Sequence, residues 1–405
     1  MHTGQFRTRI GIARQSREIN SPIQRRISYS MTQTIYKRLS ERKIHILLDL
    51  CKFRVLTTEQ LGERHSDVSA LYLNKVLYQL RKAGLIRSST QSGSREQRKG
   101  HSFHAISLRG IGALHYNEHF VDESFADNYL TEQLRYYVLT ANDILIRAMD
   151  QWQVHDSRAT KKLFGLGSRT QVQGALVSKA NQQSYGMYVM TESPLSQTIG
   201  KIQSEIMERA GSIRHYVIFG KGKKGIEDFM HMAMNKSTTK DFLYTGYSIK
   251  VIPFKLGQQI VKNFSSFEEW EQHSLQHFAE VYGFKEIRSE WASQTPAEAL
   301  LSTPGEHPVF KTVVEYEGKR YLYVNVMDLD IKKIQAIQTY GEAESRRNGM
   351  SLLVCTSMKL QEDLIAVNRH FTKTIRVAPN EVLKVFQIKG EQLDDQTSIN
   401  TSVTL

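Results

Sequence analysis

Five side chains with cationic or hydrogen-bonding groups fall on one side of a predicted helix that ends near residue 83. They are Tyr72, Lys75, Tyr78, Gln79 and Lys82. Leucines at every third or fourth position occupy the opposite side of the same helix. Ammonium groups bind phosphates, whereas amide and phenol groups can hydrogen-bond to base edges in the major groove. The spacing therefore predicts a helix with one face that packs in a core and another that contacts double-stranded DNA.

Two further helices are predicted ahead of this one. Apolar residues recur at helical spacing after Ser40, whose type is common at helix N-caps, and they predict a first helix. Thr57 and Gln60 have the spacing of a capping box, which predicts a second, short helix. The third helix follows a turn at residues 65–67 and ends at Gly84.

A basic loop separates two short predicted strands after the third helix. Residues 85–89 and 101–108 have the composition of strands, and the loop between them carries Arg95, Arg98 and Lys99. Two short strands around a cationic loop are typical of a wing, whose side chains would hold phosphates or reach into a minor groove.

The order of three helices, strand, wing and strand, followed by a helix at residues 109–119, is typical of a winged helix-turn-helix domain. We assign it to residues 40–120. The alternative is a three-helix domain with a solvated basic face.

The positive charge of the chain is concentrated in its first 110 residues. They contain 21 Lys and Arg against 7 Asp and Glu, whereas the whole chain carries a formal net charge of +13. Concentrated basic charge attracts a phosphate backbone without regard to sequence. Residues 1–39 are predicted to be a flexible basic arm that includes Arg25 and Arg26, and Met31 is an alternative translation start within it.

A long amphipathic helix is predicted within residues 121–150, after the basic domain. The apolar stripe of this helix needs a partner surface. The helix either packs on a second subunit or docks on the following domain. Packing on a second subunit would make the protein a homodimer with two recognition helices on neighbouring half-sites.

The remainder of the chain alternates between strand and helix patterns. A hairpin, a helix and a strand are predicted in residues 151–292, and the same order recurs in residues 309–390, where the helix is predicted at residues 331–347. Three of the chain's seven prolines lie close together and mark a linker at residues 293–308, and residues 391–405 are predicted to be a disordered tail. The expected fold class is α+β, with a winged helix-turn-helix followed by two small α/β units.

The predicted order of these units is also that of the restriction-endonuclease-like core. Its metal site needs an Asp at one strand and a Glu-x-Lys on the next. Gln173 stands where the Asp is expected, and Glu192 has no lysine two residues on; Glu315 and Asp328 do not complete the pattern either. The nuclease signature is therefore degenerate, and we assign no catalytic residue.

Other chemistry finds no support in the motifs. The run GKGKKG at residues 220–225 lacks the spacing of a phosphate-binding loop, and no HExxH motif occurs. Cys51 and Cys355 lie in apolar contexts that favour buried thiols over a disulfide or a zinc site. We expect no metal and no cofactor. Without a long apolar run or a secretory signal, the chain is predicted to be cytoplasmic with no membrane partner.

Three segments carry a resemblance to a known family. They are RKIHILLDLCKFRVLTTEQL at residues 42–61, LYQLRKAGLIR at residues 77–87 and FHAISLRGIGAL at residues 103–114. They resemble the replication-relaxation family of bacterial plasmids and other mobile elements. The resemblance implies a winged-helix domain ahead of a nuclease-like α/β region and a role in plasmid replication or relaxation.

Three hypotheses follow for the function. The first is a sequence-specific DNA-binding protein of a mobile element that grips an origin and recruits host replication proteins. The second is a transcriptional regulator in which the α/β region serves oligomerisation or sensing. The third is a metal-dependent nuclease that relies on Glu192, Glu315 or Asp328 as ligands.

Overall fold

The structure, a computed structural model, describes residues 38–91, 101–126, 130–208, 212–234, 248–288 and 309–389. Several predictions lie outside these residues: those for Arg25 and Arg26 in the arm, for Arg95, Arg98 and Lys99 in the loop, for the linker at 293–308 and for the tail at 391–405. The described part is mixed α/β with three small sheets.

The N-terminal region contains helices around a three-stranded sheet. Its elements are α1 (Glu41–Phe53), β1 (Leu56–Thr57), α2 (Thr58–Arg64), α3 (Ala70–Lys82), β2 (Ile86–Gln91), β3 (His101–Ile106) and α4 (Leu108–Tyr116). The strand order is β1-β3-β2, and both pairings are antiparallel. Thr57 and Gln60 form the capping box that their spacing predicts, so α2 begins where the sequence places it.

A buried histidine joins the small sheet to α2. The ring of His104 on β3 lies 3.0 Å from the Thr58 hydroxyl and 2.7 Å from the Ser88 hydroxyl. Burial lowers the pKa of His104 to about 4, and Arg81 contributes in the same direction. The neutral ring therefore acts as a hydrogen-bonded part of the core.

The first α/β unit is built on a five-stranded sheet. Its elements are α5 (Glu132–Ala148), β4 (Trp152–Asp156), α6 (Ser157–Leu163), β5 (Gly174–Ser178), β6 (Ser184–Met190), α7 (Ser196–Glu208), β7 (His215–Gly220), α8 (Lys223–Ala233), β8 (Ser248–Pro253) and α9 (Phe254–Asn263). The strands lie in sequence order. The first three are antiparallel, and β7 and β8 continue the sheet in parallel.

The second α/β unit repeats this plan. Its elements are α10 (Phe267–Tyr282), β9 (Lys285–Arg288), β10 (Val313–Tyr316), β11 (Lys319–Asn325), α11 (Ile331–Thr339), α12 (Glu342–Asn348), β12 (Ser351–Thr356), α13 (Lys359–Ile365), β13 (Thr372–Arg376) and α14 (379–389). Again three antiparallel strands are followed by two parallel ones in sequence order.

The sheet pairing moves one boundary relative to the sequence prediction. The prediction places residues 285–288 in the first α/β domain, but β9 pairs with β10 and so belongs to the second sheet. The two segments of the sheet are far apart in sequence, and hydrophobic pattern alone does not reveal which strands pair.

The long helix α5 packs within its own chain. Asn142, buried on this helix, donates to the backbone carbonyls of Phe53 and Val55 at the end of α1. The Gln60 amide on α2 donates to the Leu139 carbonyl at 2.7 Å. Helix α5 thus docks on the N-terminal region and also contacts β4, β5 and β6 of the first sheet. Its packing on a second subunit stays a prediction.

The two α/β units share one hydrophobic core. It includes Ile218 and Val251 from the first sheet, Val324 and Val354 from the second, and Ile334 on α11. The Val251 amide donates to the Asp328 carbonyl at 2.9 Å. Burial of this kind is the main source of stability in a domain, so the two sheets stabilise each other.

Both cysteines are free and buried, and burial raises the pKa of each thiol to about 12. Among the described residues, no helix combines the length and the apolar character needed to cross a membrane.

Candidate nucleic-acid interface

Helix α3 has one buried face and one exposed face. Its buried side chains are Leu73, Val76, Leu77 and Leu80. All five side chains predicted for DNA contact are exposed: Tyr72, Lys75, Tyr78, Gln79 and Lys82. Tyr72 is 46% exposed and Tyr78 is 54% exposed. Aromatic rings are usually more deeply buried in a folded protein, so this exposure leaves both rings available to a ligand.

Ion pairs and a cap fix the start of α3. Ser69 is the N-cap and accepts a hydrogen bond from the Tyr72 amide. Arg42 on α1 forms a salt bridge with Asp67 and lies 3.0 Å from the ring of His65, so it holds the turn between α2 and α3. The exposed face is therefore presented by a rigid scaffold, as a recognition helix requires.

Four further residues on this helix are exposed and were not among the predicted contacts: Ala70, Leu71, Asn74 and Arg81. Leu71 is 82% exposed and lies four residues before Lys75, so helical spacing places it in the middle of the exposed face. A leucine is easily assigned to the core by its residue type, but its helical spacing from Lys75, Tyr78 and Lys82 predicts that it lies on the exposed face. An apolar side chain can contact the thymine methyl group.

Arg81 adds a cation beside an aromatic ring. Its guanidinium carbon lies 5.7 Å from the centre of the Tyr78 ring. This cation–π contact orders Tyr78 at the surface. Arg81 thus extends the basic face next to Lys82.

The strands that flank the basic loop are paired along their full length, from Ile86 opposite Ile106 to Gln91 opposite His101. Gln91 and His101 therefore lie opposite each other at one end of the described hairpin. Gly84, with a positive φ of 71°, allows the chain to turn from α3 into β2.

The three candidate metal ligands do not resemble a metal site. Glu192 and Glu315 are exposed, whereas Asp328 is fully buried. Among the residues that the structure describes, no group of three His, Cys, Asp or Glu side chains could hold a metal ion. Gln173 precedes β5, and its side-chain oxygen accepts a hydrogen bond from the Val189 amide at 3.0 Å.

Asp328 is instead held by lysines between the two α/β units. Lys250 Nζ lies 2.5 Å from Asp328 Oδ2 and 3.4 Å from Glu271 Oε1, and Lys333 also pairs with Glu271. Burial acts to raise the pKa of Asp328, but Lys250 and Lys333 outweigh it and hold that pKa well below its usual range. Burial raises the pKa of Glu271 to about 7 against the two lysines. The two lysines thus compensate the charge of these buried carboxylates.

Comparison of this chain with protein-family models, with curated proteins and with solved structures finds no match.

Proposed function

We propose that this protein binds double-stranded DNA in a sequence-specific manner through α3 and the β2–β3 hairpin. The observation that carries the proposal is the exposed face of α3, where tyrosines, lysines and a glutamine stand together on a helix whose other face is buried. The concentration of positive charge in the first 110 residues supports it, because such charge attracts a phosphate backbone.

We further propose that residues 40–120 are a winged helix-turn-helix domain. Three helices, a three-stranded antiparallel sheet and a basic loop between β2 and β3 occur in the order typical of that domain. In this arrangement α3 is the recognition helix. Gln79 and the tyrosines would contact base edges, and Lys75 and Lys82 would contact phosphates or guanine.

The biological role that we propose is replication initiation or relaxation on a plasmid or another mobile element, with host replication proteins as partners. The resemblance of residues 42–61, 77–87 and 103–114 to the replication-relaxation family supports this role. The repeated helix, three strands, helix, strand order of both α/β units is also that of the restriction-endonuclease-like core, here with lysines beside the buried carboxylates.

The test is a salt titration of DNA binding by the full-length protein. Sites are first selected from a random duplex library, and the affinity for the selected duplex is then measured by fluorescence anisotropy at several salt concentrations. Each phosphate contact contributes about one unit to the slope of log affinity against log salt. Lys75→Ala and Lys82→Ala are each expected to weaken binding and to lower this slope by about one.

Lys359→Ala on α13 is the matched control, since Lys359 is exposed on the second α/β unit. It should leave the slope unchanged. If Lys75→Ala and Lys82→Ala behave like Lys359→Ala, α3 is not the interface. Selected sites that cluster at origins of mobile elements favour the replication role, whereas sites at promoters favour a transcriptional regulator.

A further inference from the structure

A cavity lies where the N-terminal region meets the first α/β unit. Its volume is about 280 Å³, and its walls come from the end of α1, from α5, from the β4–α6 connection and from residues 168–173. This volume is just below the usual range of about 300–1,000 Å³ for small-molecule sites. The cavity is independent of the exposed face of α3.

Arg54 enters this cavity from a strained backbone. Its φ is 68° and its ψ is −51°, and the Val55 amide donates to the Phe53 carbonyl across it at 2.8 Å. These values describe a classic γ-turn, which is rare and strained for a residue with a side chain. Asn142 clamps the turn, because its amide donates to the carbonyls on both sides of Arg54. Strain that the surroundings enforce in this way is often stored at functional sites.

The cavity has a cationic side and an apolar side. Arg54, Lys161 and Arg169 line it together with a single acidic residue, Asp156, which is itself 3.0 Å from the Arg158 guanidinium. Leu134, Tyr137 and Val138 on α5 line the other side.

Arg54 and Lys161 lie close enough to repel each other. Burial lowers the pKa of Lys161; among its charged neighbours Glu205 and Asp156 raise that pKa, whereas Arg54 lowers it further. Burial and Arg158 likewise lower the pKa of Arg54, and Asp156 raises it. A bound anion would relieve the repulsion between these cations.

We propose that this cavity binds a small phosphorylated molecule of mononucleotide size. Its phosphate would lie between Arg54, Lys161 and Arg169, where guanidinium groups can form bidentate hydrogen bonds. Its ring would pack on Tyr137 and the apolar side of α5, and Gln171 and Gln173 also line the cavity. This site goes beyond the proposed function, and its occupancy does not depend on DNA binding.

The cavity suits a small molecule better than a duplex. Phe53 and Arg54 of the N-terminal region form one wall while α5 forms another, so the phosphate site is bordered by two parts of the same chain. Since both parts contact the ligand, a bound molecule would join the end of α1 to the first α/β unit.

Isothermal titration calorimetry of the full chain without DNA tests the proposal. The probes are the four ribonucleoside monophosphates and, separately, inorganic phosphate. At least one nucleotide is expected to bind saturably and more tightly than phosphate, because phosphate cannot use the apolar side. Lys161→Gln and Arg169→Gln should each weaken nucleotide binding about tenfold, the effect expected when one charge-assisted hydrogen bond is lost.

Lys162→Gln is the control, because Lys162 is exposed beside Lys161 and does not line the cavity. Its affinity should equal that of the unmodified protein. The proposal is overturned if no nucleotide binds, if phosphate binds as tightly as the nucleotides, or if both cavity variants bind as well as the control. Displacement of the nucleotide by a short DNA duplex would also overturn it, since the phosphates would then be those of DNA.

Discussion

Arg54 shows how a single residue can be held in a conformation that its type disfavours. An arginine in a γ-turn persists only because Asn142, on a helix nearly ninety positions later in the chain, fixes both neighbouring carbonyls. A positive φ of this kind costs of order 1–3 kcal/mol for a non-glycine residue. The side chain of Arg54 lines a cavity together with Lys161 and Arg169.

Substitution of Arg54 separates backbone strain from side-chain loss. Arg54→Ala keeps the strained turn, whereas Arg54→Gly relieves it, and both remove the guanidinium. We expect Arg54→Gly to be about 1 kcal/mol more stable than Arg54→Ala, after allowing for the greater chain entropy of unfolded glycine. Urea denaturation of both variants measures this difference. Equal stabilities would mean that the turn is not strained.

At the scale of elements, α4 must approach β2 closely to complete the N-terminal region. A Cβ on Gly110 would lie 2.2 Å from the Leu85 carbonyl oxygen and 2.8 Å from Ile106 Cγ1. The backbone oxygen cannot move away without shifting the start of β2. A residue without a side chain is therefore required at position 110 because of the close packing, and not because of its φ and ψ angles.

Two glycine substitutions test this packing. Gly110→Ala should destabilise the protein by about 2 kcal/mol, within the range for overpacked sites. Gly200→Ala on α7 is the matched control, because a Cβ there meets no atom within 4 Å. It should stabilise the protein by about 0.5–1 kcal/mol through helix propensity. Guanidinium denaturation of each variant gives the sign, and a neutral Gly110→Ala would contradict the close approach of α4.

At the scale of the whole molecule, buried charges join the two α/β units. Lys250 comes from the last strand of the first sheet, whereas Asp328 and Lys333 come from the second unit and Glu271 from α10. Ser248 on the first sheet also donates to Asp330 at 2.9 Å. Charges buried in this way are tolerated because they are paired, and removal of one partner leaves the others uncompensated.

Lys250→Met is accordingly expected to lower the free energy of unfolding by about 3–5 kcal/mol at neutral pH. Without the ammonium, the folded-state pKa values of the carboxyl groups rise above their unfolded values, and such groups destabilise the fold more as pH rises. The deficit relative to the unmodified protein should therefore be larger at about pH 8 than at about pH 5. Denaturation curves at both pH values measure it, with Lys359→Met as an exposed control. A deficit that does not change with pH would show that lost packing, and not lost charge, is responsible.

Local pattern determined much of this protein. The capping box of Thr57 and Gln60 and the two faces of α3 follow from residue types three and four positions apart, which interact within one or two turns of a helix. The repeated hairpin, helix and strand order also follows from alternating and helical hydrophobic periods. The five exposed residues of α3 could be named from this information alone, and Leu71 could have been added by the same spacing.

Only the tertiary structure decided the features that depend on residues far apart in sequence. The sequence predicts a single helix over residues 331–347, but the structure has two helices there, α11 and α12, separated between Thr339 and Glu342. At this break the hydroxyl of buried Tyr340 donates to the Met350 carbonyl at 2.7 Å. The pairing of β9 with β10, the docking of α5 on α1, the γ-turn at Arg54 and the cluster around Lys250 are of the same kind. Each is stabilised by contacts between segments that no local period connects, and burial decides the outcome there over propensity.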